Sequence, residues 1–328
     1  MSPLDSAGTP TLARTREELA AALAQGGSAG ARAVVMTMGA LHAGHVELVR
    51  EAKRSAAQVV VSIFVNPLQF GPGEDLDRYP RDLEGDLATL SGPGLLDSGD
   101  VVFAPTPDVM YPDGDPVVRV TAGAIGEVLE GASRPGHLDG VLTVVLKLLH
   151  LTRPDVALFG QKDAQQLAAV RQMVRDLDVP VQVRGVPTQR DVEGLALSSR
   201  NAYLSPEERE RALALSRALR AAAEDARAGA LADQVRAGAR EALVEAGLDV
   251  DYVALVDPRT FADVAADHRG EAVLALAARV GGVRLIDNTT LELGGSADPS
   301  LPGAAAARRS EGPYPASAAH AGAHQGEA

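Results

Sequence analysis

Two histidines, His42 and His45, stand three residues apart directly after an apolar run and Gly39. An amphipathic helical pattern starts at the same point, so the segment predicts a strand, a tight turn and a helix N-terminus. The first turn of a helix carries unpaired N–H groups and about half a unit of positive charge, and both favour phosphate. Since residues three apart share one face of a helix, the two imidazoles would add donors to this site.

The histidine pair by itself does not require a ligand, since two surface histidines fit the same spacing. A zinc site is disfavoured because the glutamate of a His-Glu-x-x-His motif is missing and the chain has no cysteine. Gly44 favours phosphate, because a side chain between the histidines would crowd the phosphate groups. The whole segment resembles the signature of the nucleotidyltransferase superfamily, whose members attack the α-phosphate of a nucleotide.

Two further cationic side chains lie in candidate phosphate-binding segments. Lys162 falls between an apolar strand pattern and a helical pattern, where its ammonium could lie on phosphate oxygens. Arg200 follows Ser198 and Ser199 and precedes Asn201, and this set of guanidinium, hydroxyl and amide groups predicts an anion clamp. A solvated turn lysine and a capped serine-rich loop would account for the same residues without a ligand.

Uncharged polar residues accompany these cations. Gln69 lies in a loop after a strand pattern, and open α/β sheets bind ligands at the carboxyl ends of their strands. Ordinary turn chemistry accounts for this Asn-Pro and Gly-Pro loop equally well. His137 starts an apolar helix, where it could contact a substrate or be purely structural.

The elements that carry these residues alternate between strands and helices, which predicts parallel strands joined by crossover helices. We expect an α/β fold with a Rossmann-like parallel sheet and helices on both faces over residues 15–186. Residues 187–294 combine a long helical pattern over 206–246 with three strand patterns, which predicts a smaller C-terminal α+β domain. Residues 1–14 are expected to be flexible, and the Ala-, Gly-, Pro- and Ser-rich residues 295–328 to form a disordered tail.

Composition excludes several classes of function. The formal net charge of −13 argues against sequence-independent binding to nucleic acid, which relies on Lys and Arg contacts to phosphate. Without cysteine the chain can form no disulfide, which fits a reducing compartment. No basic start precedes an apolar run, and no stretch approaches the roughly 20 apolar residues of a membrane span. We expect a cytoplasmic protein that binds neither nucleic acid nor membrane.

Six segments in one order resemble the pantoate–β-alanine ligase family. They are residues 37–45, 64–70, 134–137, 140–148, 159–166 and 194–201. The resemblance implies an ATP-dependent ligase of the pantothenate and coenzyme A pathway, commonly a homodimer, that condenses pantoate with β-alanine. Pantoate would attack the α-phosphate to give pantoyl adenylate and pyrophosphate, after which β-alanine would displace AMP.

The resemblance also implies roles for individual residues. His42, His45, Lys162 and Arg200 would be catalytic, and Gln69 and Gln166 would bind pantoate. The implied ATP contacts are Met38, Gly39, Ala40, Leu41, His42, Ala43, Gly44, His45, Gly160, Gln161, Lys162, Asp163, Gln189, Leu197, Ser198, Ser199 and Arg200.

The physical logic of these roles is electrostatic. Pantoate and the triphosphate are both anions, so positive groups and helix dipoles must gather where they react. The two histidines, the lysine and the arginine would supply this charge, and the C-terminal domain would close as a lid to exclude water. Mg²⁺ is expected to bind mainly through the phosphates. No protein ligand to a metal is predicted, because Gly85 and Thr89 depart from the family's acidic stretch.

Two alternative functions stay open from the residues. Another nucleotidyltransferase of the same fold could keep the pyrophosphate-releasing step but use a different small acceptor. The neutral amides of Gln69 and Gln166 argue against a phosphorylated acceptor. A non-catalytic nucleotide-binding scaffold is the other alternative, and the full set of histidine, lysine and arginine side chains speaks against it.

Overall fold

The computed structural model describes residues 8–25 and 30–294. The predicted tail, residues 295–328, lies outside the described residues, as do residues 1–7 of the predicted flexible N-terminus. None of the helices in the two described ranges is long and apolar enough to cross a membrane.

The larger sheet contains six parallel strands in the order β1–β4–β3–β2–β5–β6. The strands are β1 (Thr11–Ala13), β2 (Arg32–Thr37), β3 (Gln58–Ile63), β4 (Val101–Phe103), β5 (Val156–Gly160) and β6 (Gln182–Val186). The central strands are nearly continuous runs of buried Val and Ala, as expected where both faces of a parallel sheet are covered.

Helices cover both faces of this sheet, which confirms the predicted fold class. The helices of this part are α1 (Arg16–Gln25), α2 (Ala43–Ser55), α3 (Leu83–Leu90), α4 (Pro107–Met110), α5 (Leu129–Ser133), α6 (His137–Thr152) and α7 (Ala164–Asp176). One face packs against α1, α6 and α7, and the opposite face against α2 and α3.

The prediction of a flexible segment over residues 1–14 is wrong for residues 11–13. These residues form the edge strand β1, which pairs in parallel with β4. The Ala13 side chain is completely buried in the main core. A three-residue strand is too short to show an alternating pattern. Its stabilising contacts come from β4, about 90 positions away in the sequence, in the register Thr11 to Val101.

The C-terminal part places two helices against an antiparallel sheet of three strands in the order β7–β8–β9. Its elements are α8 (Pro206–Arg227), α9 (Ala232–Glu245), β7 (Asp249–Val256), β8 (Gly270–Val280) and β9 (Val283–Leu293). The single helical pattern over 206–246 is in fact two helices, because Gly229 turns the chain with a φ of +89°. One face of the sheet joins the core under α8 and α9, while Val273 and Ala275 join the core of the first part.

Candidate active site

The turn between β2 and α2 brings the histidines to the carboxyl edge of the parallel sheet. Gly39 and Ala40 reverse the chain with φ angles of +85° and +52°. The buried carboxylate of Asp86, from α3, accepts the N–H of Ala40 at 3.1 Å and of Leu41 at 2.8 Å. A residue distant in sequence therefore holds the strained part of this turn.

Each histidine ring is oriented by a backbone N–H. His42 caps α2, and its Nδ1 accepts the N–H of Gly44 at 3.1 Å. The Nδ1 of His45 accepts the N–H of His42 at 3.3 Å. Since Nδ1 accepts in both rings, the neutral form of each carries its proton on Nε2. The ring centroids lie 4.2 Å apart, so the two imidazoles are in contact at the start of α2.

Burial makes these histidines neutral donors rather than cations. It lowers the pKa of His45 from 6.5 to about 3, and the neighbouring His42 adds to the effect. Burial and nearby Lys162 also lower the pKa of His42. Both rings therefore favour the neutral form, in contrast to the expectation that they supply positive charge. What they offer in that form is hydrogen-bond donation at a helix N-terminus.

Gly44 makes room for a ring of the protein itself, and not only for a ligand. A Cβ at this position would lie 2.9 Å from Cε1 and 3.0 Å from Nδ1 of the His42 ring. The glycine therefore leaves space for the imidazole that caps the helix, and thereby sets the position of that ring.

The turn after β5 lies beside the histidine turn, because β5 pairs directly with β2. A 3₁₀ turn over Gln161–Asp163 precedes α7 and carries Lys162, whose side chain is 18% exposed. The lysine Nζ lies 4.0 Å from a carboxylate oxygen of Asp163. Two strand–turn–helix units therefore present polar groups side by side at one edge of the sheet.

A chain of three buried polar residues fixes the amide of Gln69. Tyr111 donates its hydroxyl hydrogen to Oδ1 of Asn66 at 2.8 Å, and burial raises the pKa of Tyr111, which keeps the donor protonated. Asn66 in turn donates to Oε1 of Gln69 at 3.1 Å. The amino group of Gln69 is left beside the sulfur of Met38, at 3.1 Å. The resulting orientation presents N–H donors to the cavity that both side chains line.

Arg134 and His137 support the backbone of the same glutamine. Arg134 forms an ion pair with Glu74 and lies 3.0 Å from Nε2 of His137. The Nδ1 of His137 lies 2.8 Å from the carbonyl oxygen of Gln69. Burial lowers the pKa of His137, so the neutral ring donates from Nδ1 and accepts from the guanidinium. Of the two roles considered for His137, the structural one is directly visible.

The loop after β6 forms the remaining wall. A bridge between Arg190 and Ala196 closes it, and the N–H of Leu197 donates to the carbonyl of Gln189 at 2.9 Å. Ser198 then caps a 3₁₀ turn by accepting the N–H of Arg200 at 3.3 Å. These contacts hold the predicted anion clamp as an ordered loop.

One cavity of about 260 Å³ brings most of the predicted residues together. The predicted residues in its wall are Met38, His42, Gly44, His45, Gln69, Gly160, Lys162, Asp163, Gln166, Gln189, Leu197, Ser198, Ser199 and Arg200. Gly39, Ala40, Leu41, Ala43 and Gln161 are not in this wall. A wider cleft of about 1130 Å³ has part of its wall in common with this cavity, including Lys162, Gln166 and Arg200.

Several residues that build this site were not predicted from the sequence. Asn66 lies in the cavity wall, and its contact with Gln69 is one part of the site that the sequence does not reveal, although the neutral polar residues of its Asn-Pro loop are expected to contact a ligand. Asp86, Asp287 and Asn288 contact groups far along the chain, and no local pattern marks them. Among the described residues, no group of three or more His, Asp or Glu could hold a metal ion.

The parallel sheet with two histidines and a lysine at neighbouring turns of its carboxyl edge has the architecture of α/β enzymes that bind ligands at this edge. The model of the Pantoate-beta-alanine ligase family matches residues 11–290. The chain therefore belongs to the pantoate–β-alanine ligase family.

Individual relatives agree with this assignment. Pantothenate synthetase of Streptomyces coelicolor is 53% identical over 333 residues, covering 87% of this chain and 96% of that protein. The crystal structure of pantothenate synthetase from Thermus thermophilus matches with a TM-score of 0.79 and 47% identity, covering 85% of this chain and 98% of the other. The ligase of Francisella tularensis, solved in complex with beta-gamma ATP and β-alanine, matches with a TM-score of 0.70 and 33% identity, covering 86% and 97%.

Proposed function

We propose that, in the ATP-dependent ligation of pantoate to β-alanine, the smaller cavity holds pantoate against Gln69 and Gln166 and holds ATP across the two neighbouring turns. The observation that carries this division of roles is the convergence of His45, Lys162 and Gln69 on a single cavity. Three separate parts of the chain supply these groups, and such convergence is what a displacement between two anions requires.

The wall around Gln69 suits pantoate in both polarity and shape. Pantoate carries two hydroxyl groups and a carboxylate around a carbon with two methyl groups. The amides of Gln69 and Gln166 can bond the oxygens without adding negative charge. Val141, Val144 and Phe64 line the same cavity and offer an apolar surface to the methyl groups.

In the first step a carboxylate oxygen of pantoate attacks the α-phosphorus of ATP. The new P–O bond forms as the bond to the β-phosphate oxygen breaks, and pyrophosphate leaves. Negative charge grows on the phosphate oxygens, where Lys162 and Arg200 supply positive charge and His42 and His45 supply Nε2–H donors. Fixed donors of this kind need no reorganisation when the charge develops.

In the second step the uncharged amine of β-alanine attacks the acyl carbon of pantoyl adenylate. The amide bond forms, the bond between the acyl carbon and the phosphate oxygen of the mixed anhydride breaks, AMP leaves with that oxygen, and the amine releases a proton. Residues 187–294 would serve as the lid that protects the adenylate from water, because Ser198 and Arg200 line both the smaller cavity and the wider cleft.

Mg²⁺ fits this site as an ion held mainly by the substrate. It prefers oxygen ligands, keeps several waters and commonly binds through nucleotide phosphates. Asp163 is a carboxylate in the wall of this cavity, beside Lys162, and would be a side chain available to the ion. When bound, the ion would neutralise charge on the triphosphate.

We also propose a homodimer in the cytoplasm. Val117 and Val118 are adjacent and 100% and 86% exposed, so a second copy would remove two large apolar side chains from water. Light scattering on the purified chain should give twice the monomer mass, and Val117→Asp combined with Val118→Asp should lower it. A monomeric wild type would overturn this proposal.

Pyrophosphate and AMP release from ATP test the proposed function. Without β-alanine, pantoate should support ATP–pyrophosphate exchange but little net AMP. Addition of β-alanine should produce one AMP and one pyrophosphate for each pantothenate formed. If pantoate causes no exchange, the adenylation role fails, and the alternative of a different small acceptor would gain support.

A further inference from the structure

Two adjacent residues of β9, Asp287 and Asn288, contact opposite sides of the proposed ATP site. Neighbouring residues of a strand point to opposite faces of its sheet. Asp287 lies on the face that also buries Leu285 and Leu291 against the C-terminal core. Asn288 lies on the other face, towards the parallel sheet, so one short segment can contact two separate parts of the molecule.

Asn288 holds the lysine turn through its backbone. The side-chain amide nitrogen donates to the carbonyl oxygen of Lys162 at 2.7 Å and to that of Gln161 at 3.0 Å. An amide nitrogen has two hydrogens, so this contact uses both. Both carbonyls belong to the 3₁₀ turn that follows β5, and the lysine side chain starts from that turn.

Asp287 holds the opposite wall. Its carboxylate is almost completely buried and accepts two hydrogen bonds from Arg190, at 2.6 and 2.9 Å. This is the planar two-point contact that fixes a guanidinium most firmly. Arg190 also donates to the carbonyl of Gly194 at 3.2 Å, across the loop that continues to Ser198 and Arg200.

We propose that Asp287 and Asn288 are positioning residues, which set the distance between the Lys162 turn and the Ser198–Arg200 loop. Both residues line the wider cleft but not the smaller cavity, and their side-chain contacts are with the backbone of the lysine turn and with Arg190. The inference rests on the proposed function, since it assumes that Lys162 contacts phosphate. It gives the C-terminal sheet a part in the geometry of the first chemical step.

Pantoate-dependent ATP–pyrophosphate exchange is the experiment that tests this role. Misplacement of a catalytic group by about 1 Å costs up to about 100-fold in rate, so Asn288→Ala should lower kcat/KM for ATP by about 10- to 100-fold. Asn288→Asp should lower it further, because a carboxylate would face two carbonyl oxygens. The KM for pantoate should change less than kcat/KM for ATP, since one of the two proposed pantoate contacts, Gln69, is oriented by Asn66 and Tyr111, which lie on other elements.

A double-mutant cycle separates positioning from general damage. If Asn288 acts through Lys162, then Asn288→Ala should have almost no further effect in a Lys162→Ala background. Thr290→Ala is the matched control, because Thr290 is exposed two residues along the same strand and lines neither cavity. This control should retain wild-type exchange and KM values.

The possible failures can be told apart. An inactive wild-type chain would refute the proposed function itself. An active wild type with fully additive Asn288 and Lys162 effects, or with an unchanged kcat/KM for ATP in Asn288→Ala, would refute only the positioning role. Circular dichroism and thermal unfolding of Asn288→Ala establish that the measured enzyme is folded.

Discussion

The histidine turn and the lysine turn, which are proposed to bind the phosphates of ATP, are stabilised differently. In the histidine turn after β2 the rings are oriented locally, since Gly44 and His42 supply the N–H groups they accept, and the backbone is held by Asp86 of the same parallel-sheet part. The lysine turn after β5 is fixed by Asn288, which is 126 positions away from Lys162. The histidine half of the site therefore depends on contacts within the parallel-sheet part, while the lysine half depends on the folded C-terminal part.

Loss of a donor from the histidine turn should have the largest effect. His45→Ala removes a preorganised Nε2–H from the reacting phosphate and should lower the adenylation rate by at least about 100-fold. His150→Ala changes an exposed histidine at the end of α6 and serves as the control. Single-turnover formation of pyrophosphate measures both, and a His45→Ala enzyme with near-normal rate would contradict the role.

A substitution that strains the backbone of the same turn should have the next largest effect, in this case on the stability of the fold. Gly39→Ala places a Cβ 2.8 Å from a carboxylate oxygen of Asp86 at a φ of +85°. We expect a loss of about 2–4 kcal/mol in the free energy of unfolding, from strain and from the clash.

Gly73→Ala is the control that separates the backbone strain from the clash with Asp86. Gly73 has a similar φ of +81° but has nothing within 4 Å of an added Cβ. The strain alone should cost about 1 kcal/mol there. Urea unfolding measures both variants, and equal losses would mean that the Asp86 contact is unimportant for the turn.

Acidification tests the burial of the histidine turn. The pKa of His45 is about 3 in the folded chain and returns to about 6.5 on unfolding. Between these pH values the unfolded chain binds a proton that the folded chain does not. The free energy of unfolding should therefore fall as the pH drops below 6.5.

A variant without this ring provides the comparison. Between pH 7 and pH 5 the wild type should lose about 1–2 kcal/mol more than His45→Gln. Urea unfolding at the two pH values gives the difference. An identical loss in both proteins would show that the ring protonates equally well in the folded state.

The smallest effect is expected from a change to the side chain of Gln161, which precedes Lys162 in the lysine turn. Asn288 contacts only the carbonyl of Gln161, and the Gln161 side chain is exposed and lines neither cavity. Gln161→Ala should therefore keep kcat/KM for ATP within about twofold of wild type, as for most exposed substitutions. A tenfold loss would mean that this turn also works through its own side chains.

The sequence reveals those parts of the fold and site that follow from local patterns. Apolar runs and capping residues predict β2, β3, β5 and their crossover helices, and hence the sheet edge where His45 and Lys162 meet. Long-range pairing decides the rest. The strand Thr11–Ala13 exists because β4 offers it an edge, and no pattern within three residues can signal that.

Local sequence patterns also fail to reveal the protonation states of the histidines and the distant residues that hold the turns of the site. The histidine motif predicts donors at a helix start, but burial, which depends on tertiary packing, decides that the rings are neutral. Asp86 and Asn288 look like ordinary polar residues in the sequence, because their partners are backbone groups far along the chain.

The fixed amide of Gln69 has a consequence for the order of the two substrates in space. Because Asn66 takes up its oxygen, the side chain offers hydrogen atoms to whatever lies beside Met38. A carboxylate or hydroxyl oxygen is favoured at that position, whereas a protonated amine would meet donors of its own kind. If pantoate lies beside Gln69 as proposed, the ammonium end of β-alanine is thereby kept away from that position.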